Sequence, residues 1–140
     1  MNPLIVPGKL DSLSQIAQYV LAAAAEAELE KKASYGLRLA VDEIATNIII
    51  HGYEESGTEG NLELCAELSD RNLIIFIEDT AVTYDPIEQA LPDDLDKHPH
   101  EKTIGGLGVY LAIQGVDKFS YERVGNRNRN IFTVERKGNR

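Results

Sequence analysis

A single cysteine, Cys65, excludes an internal disulfide. Its place in an apolar, strand-like run reads as packing rather than reactivity. No apolar run approaches the ~18 residues that a membrane span requires, and Met1 to Gly8 lacks the basic segment and long apolar stretch of a leader. These absences predict a soluble, cytoplasmic chain. Basic residues are in deficit, 14 Lys and Arg against 23 Asp and Glu, for a net charge of −9. Nucleic-acid binders carry a basic footprint and anionic membranes attract one, so neither partner is expected. A Walker P-loop is also missing, because no Gly-Lys-Ser/Thr follows the glycines at 105–108. The three histidines, His51, His98 and His100, do not make a metal cage; two of them bracket Pro99 in an irregular stretch. No Ser-His-Asp arrangement is readable.

What is present suits one globular domain over residues 1–140, long enough to bury a core without staples. The hydrophobic fraction of 43% is ordinary for that class. Charge is uneven: Asp85 to Glu101 is acidic, whereas Arg123 to Arg140 is basic. The basic stretch reads either as a contact for phosphate or an acidic partner, or as a solvated face with a frayed terminus.

Leu4 to Val6 form a short β-like run before Pro7-Gly8. Ser12 to Gln15 reads as a capping box opening a helix from about Ser12 to Leu29, with Leu13, Ile16, Ala17, Val20, Leu21 and Ala24 at helical spacing. Ser34 to Ile50 is the strongest helix, closed near Gly52 by a left-handed cap. Asn61 to Leu68 alternates as a half-buried strand, pairing across Asp70-Arg71-Asn72 with Leu73 to Ile77. Periodicity is lost from Thr80 to Thr103, apart from one turn of helix at Pro86 to Ala90; long irregular stretches of this kind are often functional. A glycine-rich start leads into a helix over Ile104 to Gln114, and a second hairpin joins Lys118–Val124 to Asn130–Arg136 across Gly125-Asn126. The order βααββ, loop, αββ, with strands in antiparallel pairs, predicts a two-layer α+β sandwich rather than a Rossmann or P-loop fold.

Three features carry chemistry. Glu43 and Asn47 neighbour each other on one helix face at the edge of the apolar stripe. A carboxylate there suits proton transfer, and an amide oxygen suits Mg²⁺, which takes hard oxygen ligands alongside substrate phosphates. On spacing alone the pair is more simply an ordinary polar helix face. Asp79, ending an apolar strand, can accept the exocyclic amine of adenine, or merely open a turn. Gly105, Gly106, Leu107 and Gly108 open a helix whose free amides favour phosphate.

Taken in order, these features resemble a known superfamily. Leu39 to Tyr53, containing Asp42-Glu43 and Asn47 and ending His51-Gly52-Tyr53, resembles the N box of the GHKL ATPases. Asp79 followed by Tyr84-Asp85-Pro86 resembles their first glycine box, Gly105 to Leu111 the second, and Asn130 to Val134 the final strand. The His-Gly-Tyr ending is most similar to the anti-sigma-factor serine/threonine kinases of bacterial partner-switching systems.

The resemblance implies a Bergerat-type sandwich, a mostly antiparallel mixed sheet with helices on one face and an ATP lid at about 87–104. It implies Glu43 as general base, Asn47 as the Mg²⁺ ligand, Asp79 on the adenine amine, and Thr133 close by through a water. Gly105, Gly106 and Gly108 would wrap the phosphates. It further implies a small antagonist protein as phosphorylation substrate, a sigma factor as second partner, and a homodimer. Exposed Ala22, Ala23 and Ala25 could serve that homodimer, or could simply be good helix formers. One departure stands out. The first glycine box usually reads Asp-x-Gly, but this chain has Asp79-Thr80-Ala81, and Ala81 resists positive φ. That substitution keeps a second reading open, a catalytically silent, nucleotide-gated module that sequesters a partner.

Overall fold

Alternation of apolar residues sets the sheet. In the computed structural model, which describes residues 1–83, 85–86, 109–110 and 112–136, the strands are β1 (Leu4–Pro7), β2 (Asn61–Leu68), β3 (Asn72–Asp79), β4 (Lys118–Val124) and β5 (Arg127–Glu135). They form one sheet in the order β1-β2-β3-β5-β4, and each of these ladders is antiparallel. Leu62, Leu64, Leu73, Ile75, Ile77, Phe132 and Val134 are buried on one face. Two helices, α1 (Leu13–Glu26) and α2 (Lys31–Asn47), bring Ile16, Val20, Leu37, Val41 and Ile44 into the same core. The two-layer α+β sandwich is therefore the observed architecture, with the helices on one face of the sheet. No helix among the described residues is long and apolar enough to cross a membrane.

The helix ends depart from expectation. Ser12 makes no side-chain cap; its Oγ donates instead to the Pro7 carbonyl at 2.7 Å, and the residue sits in a short 3₁₀ turn, Leu10–Ser12, ahead of α1. That bond joins the β1 exit to the helix start, so tertiary anchoring displaces the local capping box. Ala23 is buried in the core, leaving only Ala22 and Ala25 of the predicted alanine surface exposed.

The largest difference follows α2. The chain does not stop at Gly52 with a left-handed residue; it continues as a π-helical segment, Ile48–Glu54, and the positive φ falls on Gly57. Widened turns of this type are rare and concentrate at functional sites. Ile48, Ile49, Gly52 and Tyr53 are all buried along it, which carries the buried face of Ala40, Val41, Ile44 and Ala45 past the end of α2.

At the sheet's far edge, β4 and β5 meet in a hairpin with Val124 opposite Arg127, so Gly125-Asn126 is the two-residue loop, and Gly125 takes the required positive φ of 62°. The basic stretch is engaged structurally. Arg127 pairs with Glu63 and Glu78, Arg129 pairs with Glu78 and Glu122, and Arg136 caps the carbonyl of Ala27 beyond α1. Cys65 lies half-buried on the sheet face away from the helices, where partial burial and the carboxylates of Glu63, Glu78 and Glu67 push its thiol pKa up. The lid at 87–104, the turn at 87–90, both histidines 98 and 100, and the glycine cluster Gly105, Gly106, Leu107 and Gly108 lie outside the described residues.

Candidate functional site

The last turn of α2 holds the first half of the site. Asn47 is buried at 3% exposure, unusual for an amide. Its Nδ2 donates to the Glu43 backbone carbonyl at 2.9 Å and to Glu43 Oε2 at 3.0 Å. Two acceptors on the nitrogen fix the amide orientation, so Oδ1 is the atom left to present as a hard oxygen donor. Glu43 is half-buried; burial pushes its carboxyl above the usual range, and the bond from Asn47 pulls the other way. A carboxylate raised toward neutrality and held by a neighbour is a competent proton acceptor.

The second half sits at the end of β3. Asp79 is 1% exposed. Its Oδ1 accepts from the Ala81 amide and from Asn128 Nδ2, both at 2.9 Å. Its Oδ2 is buried with no hydrogen-bond partner among the described residues. A buried acceptor left open is costly unless something donates to it, so this oxygen can receive an N–H or O–H from a ligand. Burial pushes the Asp79 carboxyl up, opposed by those two bonds and by Arg123 and Arg127.

Ala81 does not behave as its departure from glycine suggests. Its φ is not positive. Its methyl belongs to the core, and its backbone is held from both sides, the amide by Asp79 and the carbonyl by Arg123 Nη1 at 3.1 Å and Asn128 Nδ2 at 3.2 Å. Space for the methyl comes from Gly52, where an added Cβ would meet the Ala81 Cβ at 2.9 Å. Next to it, the Tyr53 hydroxyl accepts from the Thr80 amide at 3.0 Å and donates to the Asn61 carbonyl at 2.9 Å. The His-Gly-Tyr ending thus has a physical role: Gly52 admits the residue two beyond Asp79, and Tyr53 ties down the residue between. Gly52→Ala is expected to cost about 1–3 kcal/mol of stability through overpacking. Ala81→Gly in the same chain should return most of it; urea denaturation of both variants measures the coupling.

Thr133 is a correction. It lies opposite Ile74, whereas Asp79 lies opposite Asn128, and the burial of β5 alternates so that Asn128, Asn130, Phe132 and Val134 face the helices. Thr133 therefore points to the other face of the sheet and does not share a pocket with Asp79. The residues that share the Asp79 face are Asn128 and Asn130, neither expected from the sequence. Asn130 is 1% exposed and its Oδ1 has no hydrogen-bond partner among the described residues, a second open acceptor on the same face of the sheet. Two asparagines at every second position of a strand, in phase with Phe132 and Val134, were the available signal.

The chain resembles proteins with known roles. It is 36% identical over 86 residues to the anti-sigma F factor of Clostridium acetobutylicum, covering 61% of this chain and 58% of that protein. It is 30% identical over 86 residues to the serine-protein kinase RsbW of Staphylococcus epidermidis, covering 58% of this chain and 53% of that protein. The matched stretches thus span between about half and three fifths of those relatives. Among solved structures, the histidine kinase domain of the blue-light activated histidine kinase from Erythrobacter litoralis EL346 superposes with a TM-score of 0.54 at 18% identity, over 89% of this chain and 59% of that one, a likeness of fold. The family profile of the histidine kinase-like ATPase domain matches residues 6–134. With nearly the whole chain inside that match and the GHKL-type sandwich observed, this protein belongs to the histidine kinase-like ATPase domain family.

Proposed function

We propose that this chain is an ATP-dependent protein serine/threonine kinase of the anti-sigma-factor type. It would phosphorylate a small antagonist protein and release or hold a sigma factor accordingly. The observation that carries the reading is the buried Oδ2 of Asp79, unpartnered among the described residues, together with the oriented Glu43–Asn47 pair. The names of the two relatives support the choice of substrate class.

In this reading Asp79 Oδ2 accepts the exocyclic amine of adenine, and Asn47 Oδ1 holds Mg²⁺. The ion, when bound, neutralises phosphate charge, the main demand of phosphoryl transfer. Glu43 takes the proton of the attacking serine or threonine hydroxyl as its oxygen bonds to the γ-phosphorus and the bond to the ADP oxygen breaks. Gly105, Gly106, Leu107 and Gly108 are assigned to the phosphates by the same reading. Cytoplasmic residence and a homodimer belong to it as well.

The alternative of a silent, nucleotide-gated module rests on Ala81 and on the acidic lid; Ala81 sits in the core without a positive φ, and the lid lies outside the described residues. The direct test is a calorimetric titration with ATP, with and without Mg²⁺, on wild type and Asn47→Ala. Binding that strengthens with Mg²⁺ is expected, with a loss of about 10-fold or more in the variant when Mg²⁺ is present, roughly the value of one ligand or charge-assisted bond. A wild-type chain that binds no ATP under either condition would sink the proposal.

A further inference from the structure

Asn128 is the most connected polar side chain near Asp79. Its Nδ2 donates to Asp79 Oδ1 at 2.9 Å, to the Ala81 carbonyl at 3.2 Å and to the Val82 carbonyl at 3.1 Å. Its Oδ1 accepts from the Tyr121 hydroxyl on the neighbouring strand β4. It is 2% exposed, so its bonds to Asp79 and the Ala81 carbonyl are shielded from water.

An asparagine amide has a donor end and an acceptor end, and the two can exchange by rotation. The three acceptors around its nitrogen decide which way round it stands, and the Tyr121 hydroxyl braces the oxygen end. With the hydroxyl donating to Oδ1, the NH₂ group must face Asp79 and the two carbonyls. Reversed, the amide oxygen would confront a carboxylate and two carbonyl oxygens. The same arrangement saturates Asp79 Oδ1, which already receives the Ala81 amide. Only Oδ2 is then open. Asn128 also holds the turn after Asp79 that, in this chain, has alanine in place of the usual glycine.

We infer that Asn128, braced by Tyr121, is a positioning residue for nucleobase selection: it occupies one oxygen of Asp79, fixes the rotation of the carboxylate so that the other faces the ligand, and so makes the pocket demand an amine. This rests on the proposed nucleotide site at Asp79. It assigns selectivity to a residue that touches Asp79 rather than the base. Without Asn128, the Asp79 carboxylate can turn or share its oxygens, and preference for an amino-purine over an oxo-purine declines.

ADP and IDP differ at that position, amine against carbonyl, and are the probes. Wild type is expected to prefer ADP by about 100-fold or more, since a site built around a hydrogen bond rejects the analogue lacking it. Asn128→Ala and Tyr121→Phe should each lower ADP affinity by about 10-fold while leaving IDP within about 3-fold, so the preference narrows. Tyr121→Phe keeps the ring and serves as the decisive variant if Asn128→Ala does not melt cooperatively. A wild-type chain with no ADP affinity would overturn the nucleotide site itself and this inference with it. A wild type that prefers ADP, with variants that keep the preference or lose both nucleotides in equal proportion, would overturn the inference and leave the site standing.

Discussion

Asp79→Asn is expected to lower ATP affinity by roughly 10²–10³-fold while the nucleotide-free protein melts no lower at pH 7, and higher if the carboxylate cost is large. The first effect follows from geometry. An asparagine would keep its oxygen on the Ala81 amide and Asn128, which hold Oδ1 now, and so would turn its NH₂ into the Oδ2 position. A donor would then face the adenine amine, replacing an attraction with an unpaired buried contact, at about 1–3 kcal/mol for each group left unsatisfied. The second effect follows from linkage. Burial raises the Asp79 pKa, so the native state holds that proton more tightly than the unfolded chain does. Native stability therefore falls as pH rises from the ordinary aspartate range, about 4, through the raised value, and is level above it. The variant lacks this titration. Its advantage in melting temperature should shrink as pH is lowered through that window, and calorimetric scans from pH 7 to 4 would measure it. A variant that binds ATP as well as wild type does would remove Asp79 from the pocket.

Glu43→Gln should abolish most phosphoryl transfer, a fall of about 10²–10⁴-fold, with ATP affinity within a few-fold of wild type. The amide keeps the shape and still accepts from Asn47 Nδ2, the bond seen at 3.0 Å, so the helix end should not rearrange. What it loses is the ability to take a proton. Because burial raises the Glu43 carboxyl, the rising limb of transfer against pH should lie above the usual glutamate range, about 4.3. Activity is lost as pH falls through the raised value, since the base is then protonated. The assay is radiolabelled transfer to a serine-bearing antagonist protein, read against pH in both forms. Unchanged transfer in the variant would assign the base elsewhere, whereas no transfer in wild type would return the silent-module reading to first place.

The sheet was largely legible because its strands alternate cleanly. Asn61–Leu68 and Lys118–Val124 fall where the pattern puts them. The strand β5 was read three residues late, because Arg127, Asn128 and Arg129 look like a turn. In fact the loop is only Gly125-Asn126, and the polar residues already pair with β3. That shift hid Asn128 and let Thr133 pass as a pocket residue, although period-two counting from Phe132 and Val134 puts it on the other face. Glu43, Asn47 and Asp79 were found by spacing and resemblance. Their roles as an oriented pair and an open acceptor needed coordinates. The π-helical segment had no sequence signal, since a continuous apolar run through Ile48, Ile49 and Ile50 fits an α-helix equally well.

The strand order also dictates a timetable. Strand β3 lies between β2, its immediate predecessor, and β5, which is made about fifty residues later. At a synthesis rate of roughly 5–20 residues per second, several seconds pass in which a nascent chain has β3 with one bare edge. Such an edge, carrying Leu73, Ile74, Ile75, Phe76 and Ile77, is a template for pairing with a neighbouring chain. Any truncation before Arg127 would make that exposure permanent. It would also leave Asp79 without Asn128, so a polypeptide that has not reached its last strand is both prone to aggregate and unready to select a ligand.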